Sequence, residues 1–194
     1  MNKKLRKVLI LSDNIYYRYG IWEMLSDICA SDIEFICKRP PFIAPDIIFS
    51  EAVASIYVSL KTADRGKKKT DKTLLDIPFF CSSMSFSQIQ IKLEKIMSII
   101  YTGLTFSHRE DIYHHFGVKA YQQISQMEDK VIRFIGKGYS VEDIATTLNS
   151  SEKTVKTHCR NAMRKMALTT KVEFYHFARE IAWDTNMERL TLCI

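Results

Sequence analysis

Apolar and polar positions change their period near the middle of the chain. Up to about residue 101, short apolar runs bounded by turn residues alternate with longer stretches whose apolar positions recur every three or four residues. "KVLILSD" (7–13) suits a buried strand, and "IYYRYGIWEMLSDICA" (15–30) brings Ile21, Met24, Leu25 and Ile28 onto one helical face. "DIEFICK" and "PDIIFSE" are strand-like again, set off by Ser31-Asp32 and by Pro40, Pro41 and Pro45. "SIYVSL" and "IPFFCSS" are further strand candidates, and "SFSQIQIKLEKIMSIIY" (85–101) is an amphipathic helix.

Strands alternating with helices predict a parallel sheet with crossovers. Only four residues separate Glu51 from Ile56, too few for a crossover helix. The first unit (1–102) is therefore read as a truncated α/β domain, with a lysine-rich loop (61–72) where an ideal one would have structure. Residues 103–122 have weak periodicity and two glycines, and read as a linker. His114 and His115 are adjacent, so they face different ways on a helix and make a poor metal site.

From Ser125 onward the pattern is helical and sharply punctuated. Ser125 precedes Glu128 by three residues, Ser140 precedes Asp143, and Thr170 precedes Glu173. Each hydroxyl can cap a free backbone N–H while the acid sits in the positive first turn. Gly136 and Gly138 end the first of these helices. The predicted helices are about 126–137, 141–148, 152–166 and 171–183, all within an all-α C-terminal domain (123–194). Asn149-Ser150 joins the second to the third so closely that a helix-turn-helix follows.

Charge sharpens this picture. The net charge is a moderate +6, but Lys153, Lys156, Arg160, Arg164, Lys165 and Lys171 form a cluster with no acid among them. In the helix after Ser151, Val155, Cys159, Ala162, Met163 and Met166 make one buried stripe. Opposite it, Lys153, Lys156, Thr157, Arg160 and Arg164 form a cationic, hydroxyl-bearing ridge. A helix fits the DNA major groove, where such side chains reach base edges and phosphates. His158 lies between the two faces.

Other chemistry is thin. Cys29, Cys37, Cys81, Cys159 and Cys193 are odd in number and show no CxxC spacing, which predicts free thiols in a reducing cytoplasm. No apolar run approaches the ~20 residues that span a bilayer. With no glycine-rich phosphate loop, metal cluster or nucleophile–base pair, neither an enzyme nor a cofactor is expected.

The segment 124–174 resembles the LuxR/FixJ-type (GerE-type) DNA-binding domain of bacterial transcription regulators. The likeness rests on "GYSVEDIA" and "KTVKTH", and on Glu128, Val131, Leu148, Ser151, Asn161, Lys165 and Leu168. Met127 and Ser150 depart from the usual arginine and aliphatic residue. The resemblance implies base reading by Lys156, Thr157 and Arg160. It places Lys153, Thr154 and Lys165 on the DNA backbone, with His158 and Arg164 as further backbone candidates. It implies dimerisation through Val172, Tyr175, Ala178, Ile181 and Ala182 of the last helix. The N-terminal region more distantly resembles a receiver domain in which Ser12 replaces one acid and Glu51 stands at the phosphoacceptor position. A glutamate there implies a degenerate receiver that phosphorylation does not switch.

The overall plan is similar to RcsA-like auxiliary regulators of enteric bacteria, which work beside a partner regulator. It implies double-stranded DNA as ligand, a homodimer or a heterodimer with another response-regulator-like protein, RNA polymerase as a further partner, and no membrane. The rival reading is an interaction protein that docks on another regulator or on polymerase without touching DNA.

Overall fold

The computed structural model describes residues 5–29, 32–36, 45–61, 70–101, 105–106, 108–182 and 188–194. Its first part is an α/β unit built on β1 (Arg6–Ile10), α1 (Ile15–Cys29), β2 (Ile33–Ile36), β3 (Ile47–Phe49), β4 (Val53–Lys61), β5 (Thr70–Pro78) and α2 (Phe86–Tyr101). Then come β6 (Thr105–Phe106) and α3 (Arg109–His115), followed by the helices α4 (Gln126–Gly136), α5 (Val141–Thr147), α6 (Glu152–Lys165) and α7 (Lys171–Ala182). The chain closes with β7 (Glu188–Thr191). Among the described residues, no helix is long and apolar enough to cross a membrane.

The α/β expectation holds, but the sheet is mixed rather than parallel. Its strands run in the order β2-β1-β3-β4-β5-β7, with β6 paired to β4. β1 is parallel to β2 and β3, whereas β3–β4 and β4–β5 are antiparallel. The cause is the short Ser50–Ala52 link already visible in the sequence: a link of that length can only reverse the chain. The lysine-rich stretch expected as a loop over 61–72 is shorter at both ends, because Lys61 pairs with Thr70 as the two long strands continue. Residues 62–69 lie outside the described set. "IPFFCSS" is not a separate strand. Ile77 and Pro78 finish β5, and Cys81–Ser83 forms a single 3-10 turn.

One face of the sheet packs on α1, α2 and α3. Val8, Phe49, Ile56, Leu75 and Ile77 meet Leu25, Leu93, Ile96, Met97 and Ile112 in one buried cluster. The predicted linker is therefore partly structural. Phe106 is buried, and α3 adds Ile112 to the same core. His115 lies edge-on to Phe106 and Phe116, an aromatic packing role.

The largest departure is at the end of the chain. Residues 188–194 do not belong to an all-α domain, because β7 crosses back and pairs with β5 in parallel. Asp76 of β5 has no exposure to solvent. Arg189 grips it with two bonds, Nε to Oδ2 at 2.7 Å and one terminal nitrogen to Oδ1 at 2.8 Å. The Ser55 hydroxyl donates a further bond to Oδ1 at 2.6 Å. Gln123, just ahead of α4, makes a reciprocal pair with the backbone of Cys193, donating to its carbonyl at 3.0 Å and accepting from its N–H at 2.9 Å. Arg133 of α4, itself paired with Asp129, donates to the Arg189 carbonyl at 3.2 Å. The helical unit is thus fastened to the sheet at both of its ends.

A buried charge left without its partner is strongly destabilising. Arg189→Met is therefore expected to lower stability by about 3–5 kcal/mol, read as a lower urea midpoint at unchanged slope. A loss below about 1 kcal/mol would place the pair among ordinary surface bridges.

Candidate nucleic-acid interface

The four C-terminal helices form where the hydroxyl–acid spacing placed them, within a residue or two at each end. The Ser125 and Ser140 hydroxyls accept the N–H groups of Glu128 and Asp143, and both acids return a bond to the cap backbone. Ser151 caps α6 by accepting from the Thr154 N–H at 3.1 Å. Thr170 caps α7 by accepting from the Glu173 N–H at 3.2 Å.

The turns are as specific as the starts. Asn149 has φ of 48°, and the Ser150 N–H closes on the Ala145 carbonyl at 2.8 Å. That left-handed residue with its long closing bond terminates α5 and redirects the chain into α6 within a few residues. Gly138 and Ala167 end α4 and α6 in the same way, with φ of 89° and 55°. Gly136 has a different duty. A Cβ there would lie 2.0 Å from the Ala178 carbonyl oxygen, so its lack of a side chain lets α4 and α7 touch backbone to backbone.

Within α6, Val155 and Ala162 are fully buried and Met166 nearly so. They pack with Ile144, Ala145, Val131, Phe174 and Phe177 in a second core. Ala52, Val53 and Phe80 of the sheet unit join this core, so the helical unit rests on the end of the sheet. Pointing away from that core, Lys153, Lys156, Thr157, Arg160 and Arg164 are all exposed. Lys156 makes an i,i+4 pair with Glu152 at 2.7 Å, both side chains about half exposed (53% and 51%). Such a pair opens readily. The Thr157 hydroxyl donates to the Lys153 carbonyl at 2.8 Å, and that of Thr154 lies 2.8 Å from the Ser151 hydroxyl. His158 is half-buried at the border of the two faces.

Lys165 departs from its expected place on the DNA backbone. Its ammonium is turned inward, 2.7 Å from Glu128 Oε2 and 2.8 Å from the Gln123 carbonyl, with the side chain only 14% exposed. Its charge is spent holding α6 to the start of α4. The last helix also divides. Val172 and Tyr175 are exposed at 65% and 53%, but Ala178 and Ile181 are buried in the helical core. Ala182 packs at Gly136. Ala178 and Ile181 are thus covered by this chain's own helices, whereas Ala182 keeps part of its surface exposed. Sequence reasoning missed Asp76, Arg189, Gln123 and Arg133, because nothing in their spacing links them across the chain.

Glu51, between β3 and the Ala52 that packs on the helical core, is exposed and accepts a bond from the Ser12 hydroxyl after β1. The parallel register of Ile10 with Phe49 brings these two strand ends together.

Glu128 shows how charge and folding are coupled here. Burial pushes its carboxyl up, but bonds from Lys165 and from the Ser125 N–H more than offset this and hold it below the usual range. Glu173 behaves alike, with burial opposed by the N–H groups of Thr170 and Thr169. A carboxyl depressed in the folded state contributes fully above its unfolded value near 4.5, and the contribution disappears as pH falls through the folded value. Glu128→Gln is therefore expected to lower stability at pH 7 and flatten its decline below about pH 4.5. Urea titrations across pH 3–7 check this, and an equally steep acid decline in the variant would contradict it.

Comparison with known proteins agrees with this geometry. Residues 122–178 match the family model described as bacterial regulatory proteins, luxR family, so the α4–α7 unit is a helix-turn-helix domain of that type. Over 48 residues the chain is 40% identical to the uncharacterized protein YjjQ of Escherichia coli O157:H7, covering 25% of this chain and 20% of that one. It is also 40% identical over 50 residues to the response regulator protein TodT of Pseudomonas putida, covering 26% and 22%. The matches thus span about a fifth of the length of these curated relatives. Among solved structures, RcsB from Salmonella enterica serovar Typhimurium bound to promoter rprA shares 15% identity over 91% of this chain and 99% of that one. Its TM-score of 0.32 marks a slight likeness of the whole.

Proposed function

We propose that the protein is a DNA-binding transcription regulator of the bacterial cytoplasm that inserts α6 into the major groove. The observation that carries this reading is the division of α6 into two sides. Val155, Ala162 and Met166 lock it into the core, while Lys153, Lys156, Arg160 and Arg164 stand in solvent along the opposite edge. A solvated helix has no need of such a run without acids, whereas phosphates and guanine edges do attract it.

Lys156, Thr157 and Arg160 read bases, and Lys153, Thr154, His158 and Arg164 hold the backbone. Lys165 takes no part, being committed to Glu128. One such module touches few base pairs, so two chains occupy paired half-sites. Val172 and Tyr175 on the open side of α7 supply the contact, either with a second copy or with a related regulator. The α/β unit serves protein contacts and is not switched by a phosphoryl group, because Glu51 stands where an aspartate is required.

Fluorescence anisotropy on cognate and random duplexes tests the division of labour. Arg160→Ala is expected to cost about 1–3 kcal/mol on the cognate site alone. Arg164→Ala is expected to weaken all sequences alike and lower the salt slope by about one. Equal losses for both variants on every sequence would refute the assignment, and wild-type protein that fails to bind any duplex at low salt would refute DNA binding itself. Beryllofluoride or acetyl phosphate is expected to leave DNA affinity unchanged, and a shift beyond about twofold would restore a phosphorylation switch.

A further inference from the structure

Between α2 and the carboxyl end of α6 lies a cavity of about 350 Å³. Lys92 enters it from the sheet unit, Arg164 and Lys165 from α6, and Tyr121 and Gln122 from the turn ahead of α4. Pro78, Met166 and Cys193 supply apolar wall. A neighbouring recess of about 410 Å³ shares Pro78, Lys92 and Met166, and adds Lys95, Phe80 and Leu168. No aspartate or glutamate lines either space.

The state of the cations makes this arrangement unusual. Lys165 is neutralised by Glu128. Lys92 is half-buried and, among the described residues, has no hydrogen-bond or ion-pair partner. Burial holds its ammonium below the ordinary lysine range. A lysine recessed in this way normally has a carboxylate beside it. Here the complement that would satisfy it is an anion from outside.

We propose that this interdomain cavity binds a small phosphate-bearing molecule, with Lys92 and Arg164 as its cationic ligands and the Met166 wall receiving its apolar body. A doubly or singly charged phosphate offers several acceptor oxygens to an ammonium and a guanidinium together. The recess and its apolar wall suit a discrete molecule rather than the continuous backbone of a duplex. Because Arg164 also belongs to the DNA-facing edge, occupancy of the cavity engages one of its cations. A metabolite held there can therefore compete with a backbone phosphate for that side chain.

The test uses the full chain without DNA, so its outcome is independent of the DNA reading. Thermal unfolding and calorimetric titration are run with inorganic phosphate, pyrophosphate and phenyl phosphate, against potassium chloride at matched ionic strength. Wild-type protein is expected to gain stability over chloride with pyrophosphate and phenyl phosphate, phenyl phosphate binding more tightly than inorganic phosphate. Lys92→Met and Arg164→Leu are each expected to weaken binding at least tenfold, while Lys137→Met, on the exposed end of α4, leaves it intact. Arg164 is exposed, so its variant reports even where removal of Lys92 impairs folding. No gain over chloride, or equal binding by wild type and Arg164→Leu, would overturn the proposal.

Discussion

The grip of Arg189 on Asp76 is the constraint on which the rest of the molecule depends. A carboxylate in the interior of a sheet is tolerable only when its charge is met with good geometry and its remaining lone pairs are used. Arg189 supplies both nitrogens, and Ser55 takes a further position. The arginine comes from the far end of the chain, after all four helices of the DNA-binding type. Satisfying Asp76 therefore requires the chain to return to the sheet, and that return fixes α4 through Gln123 ahead of its start and Arg133 in its last turn.

From that fastening follows the exposure of the cationic edge. The carboxyl end of α6 is tied down by Lys165 through Glu128 and Gln123, and its buried stripe is held by α4, α5 and α7. With one side and one end committed, Lys153, Lys156, Arg160 and Arg164 can face only solvent or a ligand. The helical unit presents its edge from a fixed platform, not from the end of a free tether. The phosphate cavity lies at the joint itself, where the sheet unit's Lys92 and the helical unit's Arg164 approach the same space.

Much of this was legible in the sequence where the determinants are local. Caps spaced three residues from an acid, the Asn149 turn and the stripe from Val155 to Met166 need only near neighbours, and the helices form there. The alternation of strands and helices likewise announced an α/β unit. Long-range pairings were hidden. Asp76 and Arg189 look like ordinary charges until the sheet brings them together, and β7 is too short and too polar ("ERLT") to announce itself as a strand. The resemblance assigns Lys165 to the DNA backbone, and the basic cluster around it gives no sign of its inward partner. Its helical position turns it about a hundred degrees away from Arg164, toward α4. The resemblance assigns Ala178 and Ile181 to a dimer face, and an apolar stripe does not itself say which partner covers it. Gly136, in whose absence of a side chain α7 finds its seat, supplies the answer.

The central claim is that sheet and helical unit form one cooperative body closed by β7. Scanning calorimetry of the intact chain tests it most directly. A single transition with equal calorimetric and van't Hoff enthalpies is the expected result. Two separable transitions, with the helical unit melting independently of the sheet, would contradict it.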